Sequence, residues 1–265
     1  MGAVPVDPVA VRAGVAAAAG QAAELVRSLP DPAAPVPSLD WTVAQTATHL
    51  VAAPRAFLGY VTGQVAPDAT IDLGERNLER IAQVGERGLP ALADLLVADT
   101  RRYLEQTADL PADRRVPFYG GTTLELAALH GILLGEYLIH GLDLARSAVR
   151  QWPIDPAQAR LVIAAATALL PRYLDPVAAR GVTAGYQVRV RGGPRFVLRV
   201  ADGAATVEPG AAGPVDCHIS ADPVAFLEVA YGRRSQWQPV LRGQMTAWGR
   251  RPWRAFGFKR LLLNP

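Results

Sequence analysis

The spacing of apolar residues along this 265-residue chain changes once, near residues 176–185, and that change limits what it can fold into. Upstream, apolar residues recur at helical intervals. Downstream, GYQVRVRGG, PRFVLRVADG, AATVEPG and VDCHISAD alternate apolar and polar residues between Gly, Asp-Gly and Pro. A 3.6-residue period does not suit a sheet face, and a two-residue period does not suit a helix stripe. The expected fold class is therefore α+β, a helical unit over 1–178 followed by a smaller unit with an antiparallel sheet over 179–265. Five helices are expected, over about 8–28, 42–60, 90–109, 122–148 and 156–174. The second opens on a capping box at Thr42 and Gln45, and the fourth on Thr122-Thr123-Leu124-Glu125. Four of the five are long enough for an antiparallel bundle. In the second unit a short helix is expected over Pro223–Tyr231, then a Gly- and Trp-rich helical tail.

Half of the residues are apolar and 19% are charged, ample material for a buried core. No apolar run reaches the ~18–20 residues that cross a bilayer, and MGAVPVDPVAV lacks the basic start of a signal peptide. The single cysteine, Cys217, excludes an internal disulfide and fits a reducing cytosol, so a cytoplasmic location is expected. Charge is uneven. Residues 1–179 hold 14 basic and 19 acidic groups, whereas residues 180–265 hold 13 basic and 5 acidic. The basic groups of QVRVR and RFVLRV alternate with apolar ones, as on a solvated sheet face, so neither nucleic acid nor a membrane is expected as a partner.

Chemistry concentrates in LLGEYLIHGLDLARS. Glu136 and His140 stand one turn apart, roughly 40° around the helix, on a stripe otherwise formed by Leu126, Leu129, Leu133, Tyr137 and Leu144. Burying a bare carboxylate there costs several kcal/mol. A divalent metal would resolve the conflict, with His49 of WTVAQTATHLVAA as the third ligand from a facing helix. The alternative is an ordinary i,i+4 pair. Two imidazoles and a carboxylate suit zinc, nickel, iron or manganese. Asp143 could hydrogen-bond the far ring nitrogen of His140, though an Asp at that spacing is more often a solvated helix position. His130, about 80° away, flanks the stripe in a core or pocket-lining position. His218 reads as structural, and Cys217 has no nucleophile context.

Three segments carry a resemblance. WTVAQTATHLVA, GEYLIHGLDLARS and FLEVAYGRRSQWQPVLRGQMTAWGRRPW, in that order, resemble the DinB-like, mycothiol-dependent maleylpyruvate isomerase family over essentially the whole chain. The resemblance implies a DinB-like four-helix bundle followed by a sterol-carrier-like α/β domain. It implies that His49, Glu136 and His140 are metal ligands, zinc foremost, and that mycothiol is the thiol cosubstrate. The metal would hold that low-molecular-weight thiol as thiolate for addition to an electrophilic or anionic small molecule, giving an S-transferase or a cis–trans isomerase. It also implies a functional arginine after a short apolar helix, which falls on Arg233 as the catalytic candidate. Arg234 beside it and His130 are candidates for contact with the thiol. Arg242, Arg250 and Arg251 are unranked, and Trp237, Trp248 and Trp253 are expected to pack the tail. The alternatives are a non-catalytic module binding a lipid or small molecule, or a metal-hydroxide hydrolase that uses no thiol.

Overall fold

The computed structural model describes residues 2–71, 73–210 and 213–263. They form two compact units, one over Asp7–Ile154 and one from Asp155 onward that also takes in the residues up to Val6.

The first unit is helical. α1 (Pro8–Ser28) starts where Asp7 accepts the amide protons of Val9 and Ala10, with Pro8 at a position that needs no donor. By length and composition α1 could cross a bilayer, yet Val11, Val15, Ala18 and Ala22 are buried, and it packs on the helices below. α2 (Val43–Thr62) opens on the expected box: Thr42 Oγ1 accepts from the Gln45 amide, and Gln45 Oε1 accepts from the Thr42 amide. α3 (Gly74–Val84) escapes the sequence reading, because its eleven residues expose a mostly polar surface. α4 spans Leu89–Gln106, with Pro90 in its first turn.

The segment before the next helix corrects an expectation. Thr122–Glu125 is not a helix cap but strand β2, paired antiparallel with β1 (Arg115–Phe118). Gly120 and Gly121, both at positive φ, reverse the chain between them. Pairing places Leu124 opposite Val116, both fully buried, and that burial outweighs the local capping pattern. α5 therefore begins at Leu126 and runs to Ser147. α1 and α2 each pack against both α4 and α5, which makes the four-helix bundle.

The second unit starts with α6 (Pro156–Ala166), capped by Asp155. The sequence reading carried this helix to residue 174 and assigned it to the bundle. It stops at Ala166 ahead of Pro171, which cannot continue a helix, and it packs on α7. The division of the chain thus falls at residues 154 and 155 rather than 178 and 179. The strands are β3 (Ala184–Val190), β4 (Arg195–Ala201), β5 (Ala204–Pro209), β6 (Cys217–Ala221) and β7 (Met245–Trp248). They lie in the order β5-β4-β3-β6-β7. Asp202 and Gly203, both at positive φ, make the tight β4–β5 turn. Neighbours are antiparallel except β3 and β6, which run parallel at the centre of an otherwise antiparallel sheet. α7 (Pro223–Ala230) follows β6, with Asp222 as its cap. The tail is not helical throughout. After α8 (Trp237–Leu241), residues 245–248 extend as β7 along the open edge of β6, bounded by Gly243 and Gly249 at positive φ. A short 3-10 turn, α9 (Ala255–Phe258) and a second 3-10 turn close the unit.

Candidate metal centre

α5 presents Glu136 and His140 one turn apart, and α2 presents His49 toward them. His49 Nε2 lies 3.1 Å from Glu136 Oε2, and His140 Nε2 lies 3.3 Å from the same oxygen. One ligand atom from each of the three residues lies within 4.8 Å of the other two. The two imidazoles meet edge to face, with centroids 5.0 Å apart. A tetrahedral ion with bonds of roughly 2.0–2.1 Å has ligand-to-ligand edges of about 3.3–3.4 Å. The two His–Glu spacings are close to those edges, and the donor set is two imidazole nitrogens and one carboxylate oxygen. The residues therefore fit a divalent cation.

The surroundings reinforce that fit. Leu126, Leu129, Leu133, Tyr137 and Leu144 are buried as the stripe predicted. His49 is buried, while Glu136 and His140 keep partial exposure, so the cluster stands at the edge of the core with one side reachable. Asp143, fully buried rather than solvated, places Oδ2 3.2 Å from His140 Nδ1. That bond orients the ring and leaves Nε2 facing Glu136. His49 has no such support: its Nδ1 is buried with no hydrogen-bond partner among the described residues.

Electrostatics follow from the same geometry. Burial alone would raise the carboxyl of Glu136, but hydrogen bonds from His140 and His49 outweigh it and hold the group well below the usual carboxylate range. Burial would likewise lower the imidazole of His140, yet its bonds to Asp143 and Glu136 carry it up to about 9. For His49 burial wins and the value falls, despite the bond to Glu136. The cluster keeps its carboxylate ionised, and a cation that binds there displaces the proton held by His140.

Two contributors were not singled out from sequence. Trp41, just before the Thr42 cap, lies against both imidazoles, with centroids 5.0 Å from His49 and 6.3 Å from His140. Arg80 of α3 binds Asp68 at 3.0 Å and Tyr60 Oη at 2.5 Å, and its charge reaches His49 and lowers it further. The signal for Arg80 was the apolar spacing Leu78, Ile81, Val84 in GERNLERIAQV.

Other sequence candidates lie outside this cluster. His130 is buried in the bundle core, with Nε2 3.3 Å from Thr107 Oγ1 and its ring edge-on to Tyr103. Burial, then the charge of Arg12, lowers it to about 4. Arg233 and Arg234 belong to the second unit. Arg233 donates to the Tyr231 carbonyl at 2.8 Å. Arg234 spends its guanidinium on Glu228, Gln238 and Gln244, tying α7 to α8 and to the lead-in of β7. Arg250 and Arg251 gather with Arg254 around Asp216, and Arg242 is exposed. His218 bonds Gln187 at 2.8 Å and stacks on Trp248. Cys217 is a free, buried thiol raised by burial.

Fold and cluster together define a two-unit α+β protein whose helix bundle carries a His–Glu–His group of metal-binding type. The bundle belongs to the family described as the mycothiol maleylpyruvate isomerase N-terminal domain, whose model matches residues 15–145. Among solved structures, the chain is similar to the crystal structure of the mycothiol-dependent maleylpyruvate isomerase, with 16% identity and a TM-score of 0.56. That likeness covers 91% of this chain and 93% of the other. A histidine-to-alanine mutant of that enzyme matches at 17% identity, with the same TM-score and coverage. At such identity the likeness establishes the fold. No curated protein matches the chain.

Proposed function

We propose that the chain is a metal- and thiol-dependent enzyme of the maleylpyruvate isomerase type. His49, Glu136 and His140 hold one divalent cation, zinc foremost, and mycothiol supplies the nucleophile. The observation that carries this reading is the convergence of one ligand atom from each of two imidazoles and one carboxylate within 4.8 Å in a bundle of that family. A bound divalent cation supplies Lewis acidity that deprotonates a thiol near neutral pH.

The chain's own groups set up the rest. Asp143 holds the His140 ring so that Nε2 is the free ligand atom. Glu136 contributes the negative charge that offsets a dication. The apolar wall of α5 keeps water from the nucleophile, and Trp41 shields the two imidazoles. The thiolate adds to the electron-poor carbon of a C=C bond, and the electron pair moves onto the activating group. The new single bond rotates and the thiol departs, leaving the trans isomer. Return of a proton to that electron pair, equal to the one the thiol gave up, and release of the adduct instead make the reaction an S-transfer. Arg233 is assigned to the substrate carboxylate on the family resemblance alone, since Arg binds carboxylates through two parallel hydrogen bonds. Arg234 and His130 receive no ligand role, because their bonding is accounted for within the fold. A cytoplasmic location follows from the need for a reduced thiol.

The test combines metal content with turnover. Untagged wild type carries about one equivalent of metal and, with mycothiol present, accelerates isomerisation of maleylpyruvate or consumption of the thiol by monochlorobimane, and His140→Ala loses both. Equal, negligible metal in the two proteins overturns the reading. Undiminished turnover of acceptor without thiol transfers the chemistry to metal-bound hydroxide.

A further inference from the structure

The last stretch of the second unit is both basic and rich in outward-facing rings. After Glu228 the sequence holds seven Arg and Lys259 but no Asp or Glu. Its tryptophans, expected to pack the tail, face solvent instead: Trp237 is 54% exposed and Trp253 62%. Phe256 at 44% and Leu241 at 87% join them. Among the described residues, every exposed Trp or Phe lies between positions 237 and 256. Apolar side chains held together in water cost free energy, so such a group marks a surface that something else covers.

Local geometry gathers these side chains. Trp237 and Leu241 stand one turn apart on α8. The Gln236 side-chain amide donates to the Phe256 carbonyl at 3.2 Å, and Phe256 stacks on Trp237 with ring centroids 5.1 Å apart. Trp253 precedes Phe256 by three residues, in the 3-10 turn that leads into α9. Residues three apart in such a turn point the same way. Two cations flank the group. Arg242 follows Leu241 directly, and Arg260 stands four residues beyond Phe256 in the closing 3-10 turn. Both are exposed, and neither is paired with a carboxylate among the described residues. Arg250 and Arg251, by contrast, share Asp216.

The composition of this face selects its partner. A second copy of the chain would need an apolar, acidic counterpart. Outside residues 237–263 the exposed large apolar residues are single aliphatic side chains on separate elements: Val9, Val65, Leu78, Val97, Val149 and Val177. A nucleic-acid strand would stack its bases on the rings, but Leu241, the most exposed member, has no ring to offer. A bilayer interface accepts the whole set, with Trp at headgroup level, Leu and Phe at the acyl boundary, and Arg beside anionic lipid.

We propose that this face of the second unit docks on a membrane surface containing anionic phospholipid. Trp237, Leu241, Trp253 and Phe256 enter the interface, and Arg242 and Arg260 pair with headgroup phosphates. The expectation of no membrane partner rests on the arginines of β3 and β4, whereas this face is built from the tail. It shares no residue with His49, Glu136 and His140, so it stands whether or not the metal reading does.

Co-sedimentation of the full chain with vesicles tests it, using phosphatidylcholine alone and phosphatidylcholine with roughly one-third phosphatidylglycerol. The wild type binds the anionic vesicles at least about 10-fold tighter, and an ionic strength of about 1 M, where the screening length is about 3 Å, removes most of that preference. Arg242→Gln combined with Arg260→Gln weakens anionic-vesicle binding about 30-fold, at about 5-fold for each cation near such a surface. Trp237→Ser combined with Leu241→Ser weakens it at least about 10-fold through lost apolar burial. Far-ultraviolet circular dichroism reports that both double variants are folded. Equal binding to the two vesicle types, or binding to neither, overturns the proposal. So does anionic-vesicle binding that survives either double variant. Capture of oligothymidylate in place of vesicles also overturns it, as does a dimer in light scattering that Trp237→Ser with Leu241→Ser dissolves while vesicles go unbound.

Discussion

Replacing Glu136 by Gln separates a metal centre from a mere hydrogen-bonded triad. Glu136 Oε2 touches both imidazoles, at 3.1 Å and 3.3 Å. Gln keeps the volume and one acceptor oxygen but removes the charge. In the metal-free protein two charge-assisted hydrogen bonds become neutral, while the burial cost of a carboxylate disappears. The bonds outweigh that burial cost, so the metal-free variant is less stable than wild type by about 1–2 kcal/mol. With metal the balance changes. At free zinc 100-fold above Kd, wild type gains about 2.7 kcal/mol. At about 2–4 °C per kcal/mol for a unit of this size, that raises Tm by about 5–11 °C. Loss of an orienting neighbour weakens metal sites by up to about 100-fold, so loss of a ligand weakens them at least as much. The same zinc then stabilises Glu136→Gln by RT ln 2, about 0.4 kcal/mol, or about 1–2 °C. Circular-dichroism melts with and without zinc, reversed by chelator, provide the measurement. An equal rise in both proteins would refute the coordination argument. A large loss of stability in the metal-free variant would show that the triad is structural.

Asp143→Asn keeps a hydrogen bond to His140 but removes the charge, and lowers zinc affinity about 10- to 100-fold by competition with a chromophoric chelator. Unchanged affinity contradicts its orienting role. His130, lowered to about 4 against ~6.5 in the unfolded chain, stays neutral in the native state. Its contribution to stability is therefore complete above pH 6.5 and is lost as pH falls toward 4, by about 3 kcal/mol in all. In urea titrations across that window His130→Gln shows a shallower decline than wild type, and parallel slopes exclude the assignment. Gly141→Ala would set a Cβ 2.2 Å from the Trp152 ring, whose Nε1 donates to the Leu138 carbonyl. The clash costs about 1–3 kcal/mol against about 1 kcal/mol of helix propensity, so the urea midpoint falls. A full gain of about 1 kcal/mol would show that Trp152 moves freely.

Local rules read much of the fold. The Thr42–Gln45 box, the caps before Pro-led helices and the alternation in 184–221 each describe a few neighbouring residues, and the elements appear where those residues stand. The misreadings share one cause. Thr122–Glu125 satisfies a helix cap locally and becomes a strand only because Arg115–Phe118 pairs with it. Met245–Trp248 reads as part of a helical tail until the open edge of β6 recruits it. α6 carries no local mark of which unit owns it. The position of α7 decides that.

The candidate centre divides along the same line. Glu136 and His140 could be paired from sequence alone, because one helical turn sets their separation whatever surrounds it. The apolar stripe also announced that a partner must neutralise the carboxylate. That His49 meets them at hydrogen-bonding distance, that Trp41 lies against both rings, and that the charge of Arg80 reaches His49 were decided only by how α2, α5 and α3 pack. Helical geometry is a property of the chain over a few residues. The approach of two helices is a sum of side-chain volumes spread over the whole bundle, and no short stretch of sequence contains that sum.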